Sequence, residues 1–464
     1  MPQAQSVVRF DAFKYPSPDP PENLSQETDC GIGGNMSQSQ FTAKLIGPGF
    51  LLSALFGLLI ATIQPAQSQT LTVLHSFSGV ADGGTIFGSL IKDKAGNLYG
   101  TASWGGAQGG NCTYDWGYGT GCGTVFQLTP SGSSWSFNVI YTFAGNPDDA
   151  ANPSHESLAI DRNGNLFGTT LLGGAFLCAG GPGCGSVFEL KPSSNGWTET
   201  VFHSFTDING AFWPDAGVVI DKQGNLYGTT FHGGYGYGTV YEITSSGTEK
   251  ELYKFFGGAD GGEPFGGLVF DKQGNLYGTT QYGGDISQCG GSGCGTVFKI
   301  AADGTESVLY SFAGGNDGEL PWAGVTLDRL GNIYGTTWVG GGTGCGGSGC
   351  GTVFKLAPDG TETVIHSFDS TDGDGVWGGV ILDGKGNLYG TTTYGGTYNS
   401  GTIYKLTPSG GTWKLSVLHT FNPFNLLDGG SPTGRLLLSN GILYGTTQGG
   451  GTYGRGTVFA LSRR

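Results

Sequence analysis

The chain has 464 residues, of which 92 are glycine and only 12% are charged, and its formal net charge is −15. This acidic chain lacks the basic footprint of a nucleic-acid-binding protein, and 37% hydrophobic residues are too many for a disordered one. The glycine content favours short strands and tight turns, because glycine supplies the positive φ angles that hairpins require.

Residues 36–68 have the layout of a secretory signal peptide. Lys44 precedes an apolar run over residues 50–63, and the small-residue segment Ala66–Ser68 follows it. The apolar run is shorter than the roughly 20 residues that a membrane-spanning helix needs. We therefore predict cleavage near Ser68 and a secreted chain, extracellular or periplasmic, with no membrane span after cleavage.

Residues 1–35 precede this signal peptide, which normally begins close to the initiator. The chain has only two methionines, Met1 and Met36, and a start at Met36 gives a signal peptide of ordinary length. We interpret residues 1–35 as an extension that arises from a mis-assigned start.

The phrase GNLYGTT and its close variants recur through the rest of the chain. The seven copies begin at Gly96, Gly164, Gly224, Gly274, Gly331, Gly386 and Gly441. Each unit contains four short runs rich in β-branched and aromatic residues, as in FGGLVFD, GNLYGTT, GTVFKI and ESVLYSF, bounded by turn residues. Four strands in each of seven units predict an all-β fold, a seven-bladed β-propeller over residues 69–464 with four antiparallel strands per blade.

The two ends of the repeat region complement each other. Leu71–Phe77 matches the fourth strand of a unit, whereas Gly456–Leu461 matches the third strand. We predict that the N-terminal strand completes the last blade and closes the ring, which leaves no unpaired sheet edge at the junction.

Because the phrase occurs in all seven units, we interpret it as structural and not as catalytic. In DKQGNLYGTT we expect the aspartate and the first glycine to close a hairpin turn, and the later glycine to admit the neighbouring blade. Four of the six histidines recur in HSF or HTF of the outer strand and are interpreted as structural. They are His75, His203, His366 and His419.

Eight of the nine cysteines form close pairs, and Cys30 lies in the extension. The spacings are not those of a zinc site and no histidine accompanies each pair, so disulfides are favoured in an oxidising compartment. The predicted pairs are Cys112 with Cys122, Cys178 with Cys184, Cys289 with Cys294, and Cys345 with Cys350.

An Asp-Gly step follows the outer strand in most units. Calcium ligation and simple turn formation both remain open for it, and the absence of calcium-loop spacing favours the turn. We therefore expect no metal and no cofactor, with calcium as the one alternative. The aspartates are Asp82, Asp260, Asp317, Asp372 and Asp428.

One position near the ring axis varies where the rest of the repeat does not. It stands six residues before the aspartate that follows the inner strand, or before Ser439 in the last unit, and holds Phe87, His155, Asp215, Phe265, Trp322, Trp377 and Thr433. The next two positions are small except at Glu156 and Arg435. Folding does not need this variation, so we predict a binding site on the loop-rich face, where the long loops join the second strand to the third and the fourth strand to the first. Its residues are Phe265, Trp322, Trp377, Asp215 and Arg435. A plug of the channel, with the polar groups in water, remains the competing interpretation.

The unit GNLYGTT-x-x-GG…GTVFKL…ETVLHSF…DG…GGLVLD resembles the GloVer-type tandem-repeat family of secreted bacterial proteins, across Leu71 to Leu461. The resemblance implies secretion and a ring of repeats. It supplies no catalytic residues. Family members often end in a surface-sorting anchor, whereas this chain ends in GTVFALSRR, which leaves retention at the cell surface open.

Three functions follow as hypotheses. The favoured one is a non-enzymatic binding or scaffold module, with a glycan or a cell-surface protein as partner on the loop-rich face. The alternative is a propeller lyase or hydrolase with a metal-assisted site formed by His155, Glu156 and His232. The third is a purely structural surface protein.

Overall fold

The computed structural model describes residues 69–106, 112, 121–145, 149–153, 158–176, 178, 183–206 and 211–462. These residues form seven antiparallel blades of four strands each, with a fifth short strand added to the sheet of blade 2, and the predicted seven-bladed β-propeller is confirmed. The predictions about residues 1–35 and the signal peptide lie outside the described residues. Within the described ranges, the structure has no helix that is both long and apolar enough to cross a membrane.

Each blade runs from a short inner strand beside the ring axis to an outer strand. Blade 1 comprises Ile91–Lys92, Leu98–Ala102, Thr124–Ser131 and Ser134–Thr142; blade 2 Ala159–Ile160, Leu166–Gly173, Ser186–Ser193 and Gly196–Ser204; blade 3 Val219–Ile220, Leu226–Thr230, Thr239–Ile243 and Glu249–Lys254; blade 4 Val269–Phe270, Leu276–Thr280, Thr296–Ile300 and Glu306–Ser311. Blade 5 comprises Thr326–Leu327, Ile333–Thr337, Thr352–Leu356 and Glu362–Ser367; blade 6 Ile381–Leu382, Leu388–Thr392, Thr402–Ser409 and Thr412–Thr420; blade 7 Leu437–Ser439, Ile442–Thr447, Thr457–Ser462 and Leu71–Ser76.

Short elements decorate this ring. Ala150–Pro153 pairs with the second strand of blade 2, and two-residue ladders join Ala211–Phe212 to His232–Gly233 and Gly429–Gly430 to Gly449–Gly450. Single 3-10 turns cover Cys289–Gly291 and Cys345–Gly347.

The ring closes as predicted. Leu71 pairs with Leu461 and Ser76 with Thr457, so the N-terminal strand is the outer strand of blade 7. Blade 7 also bonds directly to blade 1, because Thr446 Oγ1 donates to the Gly88 carbonyl over 2.8 Å. The last blade is therefore assembled from both ends of the repeat region.

The repeated phrase is a capped hairpin turn. Asp271 Oδ1 accepts the backbone N–H groups of Gln273 and Asn275 at 2.8 and 2.9 Å, while Oδ2 accepts the Asn275 side-chain amide and the Tyr277 hydroxyl. Gly274 occupies the turn with φ of 88°. One aspartate thus fixes the turn, the asparagine and the tyrosine of DxxGNLY.

The later glycine of the phrase does not face the neighbouring blade, so that expectation is wrong. A Cβ at Gly278 would lie 2.7 Å from a ring carbon of Phe298 in the third strand of the same blade. The threonine beside it makes the contact between blades, since Thr279 Oγ1 donates to the Ala323 carbonyl of blade 5 over 2.9 Å. Glycine admits the next blade at the axis instead, where a Cβ at Gly266 would meet Ala323 at 2.4 Å.

The core lies in layers between adjacent blades. Between blades 3 and 4, Val240 and Phe255 pack with Leu268, Leu276 and Phe298, all of them buried. Each sheet buries both of its faces against the neighbouring blades. Apolar side chains are therefore needed on both faces, and the alternating residues of TVF and LYG supply them.

Three of the four outer-strand histidines pair with the aspartates of the Asp-Gly steps, while His203 pairs with Glu249. His75 Nε2 lies 3.1 Å from Asp82 Oδ2, and in other blades a tyrosine takes the histidine's place, as where Tyr253 donates to Asp260 over 3.1 Å. Asp260 Oδ2 also accepts the Phe256 N–H. These contacts give the aspartates a turn-closing role, while calcium ligation stays a prediction. The other pairs are Tyr141 with Asp149, Tyr310 with Asp317, His366 with Asp372, and His419 with Asp428.

All four predicted disulfides are present. Their Cα–Cα distances are 5.2, 5.0, 5.4 and 5.3 Å in chain order, and all four close the loops between second and third strands. They therefore stiffen the loop-rich face of the ring.

Candidate functional site

The loop-rich face is organised by one strained residue per blade. It stands two or three positions before the variable axial residue and has φ between 53° and 65°. These seven residues are Thr85, Asn152, Trp213, Glu263, Leu320, Gly375 and Ser431. For side chains other than glycine this conformation costs on the order of 1 kcal/mol or more, so the surroundings must hold it in place.

Hydrogen bonds on both sides hold this conformation. The Leu320 N–H donates to the Cys294 carbonyl of the preceding blade over 3.1 Å, and the Leu320 carbonyl accepts the Trp338 N–H over 2.9 Å. The second bond places Trp338, the residue that follows the repeated phrase, beside the axial residue Trp322. The equivalent bond is present in every blade except blade 2, so six blades each present two variable side chains at the mouth of the channel in the described ranges.

Five aromatic side chains meet at this mouth, and we call them the aromatic cluster: Phe87, Phe265, Trp322, Trp338 and Trp377. The Trp322 and Trp338 rings stack with centroids 4.7 Å apart, and Trp377 lies edge-on to both at 5.0 and 5.5 Å. Phe265 is 6.0 Å from Trp322 and from Trp377, and Phe87 is 6.4 Å from Trp377. The two phenylalanines are buried, whereas the three indoles keep partial exposure.

The structure thus brings together Phe265, Trp322 and Trp377, the three aromatic residues of the predicted binding site. It adds Trp338, which sequence reasoning missed. The signal was available, because the residue after the phrase varies as strongly as the axial one: Ser103, Leu171, Phe231, Gln281, Trp338, Thr393 and Gln448. Gly375 supports the addition, since a Cβ there would lie 2.8 Å from the Trp338 ring.

A carboxyl group precedes one member of the aromatic cluster in the chain. Glu263 stands two residues before Phe265, its Oε2 is buried, and that atom has no hydrogen-bond partner in the described part of the chain. Burial raises the pKa of Glu263 to about 7. An acceptor of this kind, buried without a donor, is costly unless a ligand supplies one.

His232 lies on the same face in blade 3. Its ring is 4.6 Å from Phe231 and 5.2 Å from Trp213, and burial lowers its pKa below the ordinary value. The imidazole is therefore neutral near pH 7, the form that acts as a base or metal ligand. Asp215 is 2% exposed and lies in the inner wall of the same blade.

Arg435 lies farther along the axis than the aromatic cluster. Its Nη2 donates to Thr326 Oγ1 of blade 5, so its guanidinium reaches across blade 6 inside the channel. His155 and Glu156 lie outside the described residues.

Metal ligands are scarce in the described ranges. The single group of three His, Cys, Asp or Glu ligand atoms found there consists of Cys345, Cys350 and Asp374. The two sulfurs of that group are already joined in a disulfide, which removes them as thiolate ligands.

The fold and this face define a disulfide-stiffened β-propeller that carries an aromatic cluster at one mouth of its channel. The Gloeobacter/Verrucomicrobia repeat model matches residues 59–292, 112–348 and 286–464. The chain belongs to this repeat family, and the resemblance identified from its repeats is confirmed. None of the curated proteins matches it.

Several solved propeller structures are similar to the chain at low identity. A 6-phosphogluconolactonase-like protein from Bacteroides uniformis shares 14% identity, covers 70% of this chain and 84% of its own, and has a TM-score of 0.44. A protein of unknown function from Dyadobacter fermentans shares 12% identity, with coverages of 85% and 98% and a TM-score of 0.41. A gluconolactonase from Xanthomonas campestris shares 17% identity, with coverages of 52% and 82% and a TM-score of 0.33. At these values the likeness carries no argument about function.

Proposed function

We propose that this protein is a secreted binding module that holds a carbohydrate on the aromatic cluster of its loop-rich face. The observation that carries the proposal is the cluster itself, in which three partly exposed indoles come from positions that vary while the rest of the repeat is constant. Four disulfides accord with an oxidising, extracellular setting.

The chemistry of the cluster suits a sugar better than a purely apolar ligand. Indole faces stack on the apolar faces of pyranose rings, while polar groups at the edge fix orientation. Trp322 Nε1 is one such group, a donor within the cluster that has no hydrogen-bond partner in the described ranges. A glycan oxygen would accept its hydrogen bond.

The experiment is a glycan-array and polysaccharide pull-down screen of the chain from Gln69 onward. It compares the wild type with a Trp322→Ala/Trp377→Ala double variant. The control is Trp413→Ala, because Trp413 lies in an outer strand, 6.2 Å from Tyr334 and away from the cluster. Binding that is lost in the double variant and kept in the control supports the proposal.

Two results would oppose it. A folded wild type that binds no glycan would leave a protein partner or a structural role. Binding that persists in a folded double variant would mean that the rings merely plug the channel.

A hydrolase or lyase is the second candidate, and His232 is the observation in its favour. A neutral imidazole set among aromatic rings on the same face resembles a general base more than a surface histidine. Metal analysis of the purified protein and turnover assays on the glycans it retains, with His232→Ala as the variant, test this candidate. Turnover that is unchanged in His232→Ala would remove it.

A further inference from the structure

The four disulfides are of two kinds, which differ in exposure. In one kind both cysteines are buried: Cys112 is 8% and Cys122 0% exposed, and Cys178 is 2% and Cys184 0% exposed. In the other kind the first cysteine is partly exposed and the second is fully buried. The disulfides of this second kind are Cys289–Cys294 and Cys345–Cys350. Each of them offers one cysteine to a reagent in solution and keeps the other inside the fold.

The two half-exposed disulfides share one sequence and one backbone conformation. Each closes the segment CGGSGC, and its first cysteine begins a 3-10 turn. Cys289 has φ of 47° and Cys345 has φ of 50°, in the left-handed region that residues with a side chain rarely adopt. Cleavage of the disulfide would free the first cysteine to leave this conformation.

A carboxyl group lies beside one of these two disulfides. The sulfurs of Cys345 and Cys350 and a carboxylate oxygen of Asp374 all lie within 4.8 Å of one another. The fold places Asp374 there, because the N–H of the next residue, Gly375, donates to the Cys350 carbonyl over 3.0 Å. Burial raises the pKa of Asp374, so this carboxyl keeps its proton to higher pH than an exposed aspartate does.

The carboxyl of Asp374 departs from the repeat. The equivalent position holds Gly84, Ala151, Phe212, Gly262, Glu319 and Gly430 in the other units. The two fully buried disulfides have Ala151 and Phe212 beside them, because the N–H of the next residue donates to the carbonyl of Cys122 and of Cys184. Glu319 precedes the residue that bonds to Cys294, yet the one group of three ligand atoms within 4.8 Å in the described ranges contains Asp374. A repeat that folds with glycine or an apolar residue here does not need a carboxyl group.

Thiol–disulfide exchange at Cys345–Cys350 creates a thiolate that water cannot reach. An external thiolate has access to the partly exposed Cys345, so the sulfur that leaves is that of Cys350, which is 0% exposed. Burial disfavours the charged thiolate and makes this sulfur a poor leaving group. A protonated carboxyl group next to the departing sulfur removes this obstacle, because it can supply a proton.

We propose that Cys345–Cys350 is a site of thiol–disulfide exchange with small thiols, in which Asp374 donates a proton to the departing Cys350 sulfur. The thiolate of a small thiol attacks Cys345 Sγ and forms a mixed disulfide there. The bond between the two protein sulfurs breaks, and Cys350 leaves as a thiol with the Asp374 proton. This exchange does not require a carbohydrate on the aromatic cluster.

A second molecule of the small thiol completes the reaction. Its thiolate attacks the mixed disulfide, which releases a small-molecule disulfide and leaves Cys345 as a thiolate that takes a proton from water. The Asp374 carboxyl regains its proton from solvent, into which the two small thiols released theirs. The protein disulfide is thereby reduced by two electrons, and two small thiols are oxidised to one disulfide.

Differential alkylation with peptide mass spectrometry tests this proposal on the folded chain from Gln69. The native protein is treated with 2-mercaptoethanol, and samples are quenched with N-ethylmaleimide at intervals, which gives an opening rate for each disulfide. We expect Cys345–Cys350 to open first and the two fully buried disulfides to stay closed. Cys289–Cys294 is the internal reference, because it has the same exposed cysteine and the same backbone conformation, and we expect it to open more slowly.

Asp374→Asn keeps the side-chain shape and removes the proton donor. We expect it to slow the opening of Cys345–Cys350 about tenfold or more. Glu319→Gln is the matched control and should leave this rate unchanged. A pH series distinguishes proton donation from a structural effect. After division by the thiolate fraction of the reagent, the wild-type rate should fall from pH 5 to pH 8 as Asp374 ionises, whereas the rate of Asp374→Asn should stay level.

Three results would overturn the proposal. The first is that Cys345–Cys350 opens no faster than the other three disulfides. The second is that a folded Asp374→Asn opens it as fast as the wild type or faster, as expected if the carboxylate only repels thiolates. The third is a corrected wild-type rate that does not fall as pH rises. If Asp374→Asn fails to fold, the order of opening and the pH series of the wild type decide the matter.

Discussion

Half-buried glutamates at the blade interfaces make the stability of the ring depend on pH. The first residue of the outer strand in blade 4, Glu306, lies against Tyr253 and Asp260 of the preceding blade, and its Oε1 is buried with no hydrogen-bond partner in the described ranges. Desolvation and then the charge of Asp260 raise the pKa of Glu306 to about 7. Glu199 and Glu362 occupy equivalent positions, and the pKa of each is likewise raised to about 7.

The linkage between proton binding and folding determines whether stability rises or falls with pH. A carboxyl group whose folded-state pKa is raised contributes stability that is fully present below its unfolded pKa of 4.5 and is lost as pH rises through about 7. At full burial this shift would correspond to about 3 kcal/mol. Glu306 is only half-buried, so solvent screening reduces the expected loss to about 1 kcal/mol.

Glu306→Gln isolates this contribution, because glutamine keeps the shape and never ionises. We expect the variant to gain about 1 kcal/mol over the wild type in free energy of unfolding at pH 8 and to differ little at pH 5. Urea denaturation at the two pH values measures it. A variant that is no more stable than the wild type at pH 8 would refute the reasoning.

Glu249→Gln is the matched control. Glu249 holds the same position in blade 3, but its neighbour is His203, whose Nε2 lies 3.1 Å from Glu249 Oε2. Glu249→Gln alters a side chain that has this partner, so we expect it to lower the free energy of unfolding at pH 8. The two variants should therefore shift the urea denaturation midpoint in opposite directions at pH 8.

Three further predictions concern the repeat itself. Gly278→Ala places a methyl group 2.7 Å from a ring carbon and should cost about 1–3 kcal/mol in urea denaturation, whereas Gly384→Ala, with no atom within 4 Å, should be nearly neutral. Thr279→Val removes the bond between blades and should cost about 1–2 kcal/mol. Thr391→Val should not, since the Thr391 hydroxyl is buried with no hydrogen-bond partner in the described ranges. A chain that lacks residues 69–76 should not form a stable monomer by size-exclusion chromatography and circular dichroism; a cooperative, monomeric unfolding transition would contradict strand closure.

The sequence predicted the ring because each of its signals repeats. The phrase occurs seven times at similar intervals. One unit is divided between Leu71–Phe77 and Gly456–Leu461, and this division identified the ring closure that the structure shows. Sequence reasoning misassigned the later glycine of the phrase, because a missing Cβ does not show which neighbour fills the space. Gly278 makes room for a ring of its own blade.

The candidate site was predictable only in part. Trp322 and Trp377 share an axial position and could be aligned by counting, but Trp338 lies 16 residues beyond Trp322 and joins it through a bond to the Leu320 carbonyl. Arg435 was grouped with the aromatic residues, yet it follows the axial position of its blade by two residues. Two residues of extended chain span about 7 Å, and Arg435 lines a cavity together with the short turns of blades 4 to 6 and with no member of the aromatic cluster.

The most direct test of the account is affinity gel electrophoresis of two single-tryptophan variants in gels that contain the polysaccharides of the screen. Trp338→Ala changes the aromatic cluster at a residue that the repeat leaves variable, and Trp413→Ala changes an outer strand. We predict that the wild type and Trp413→Ala are retarded equally and that Trp338→Ala migrates as in a gel without polysaccharide. Equal retardation of both variants would contradict a carbohydrate site on the aromatic cluster.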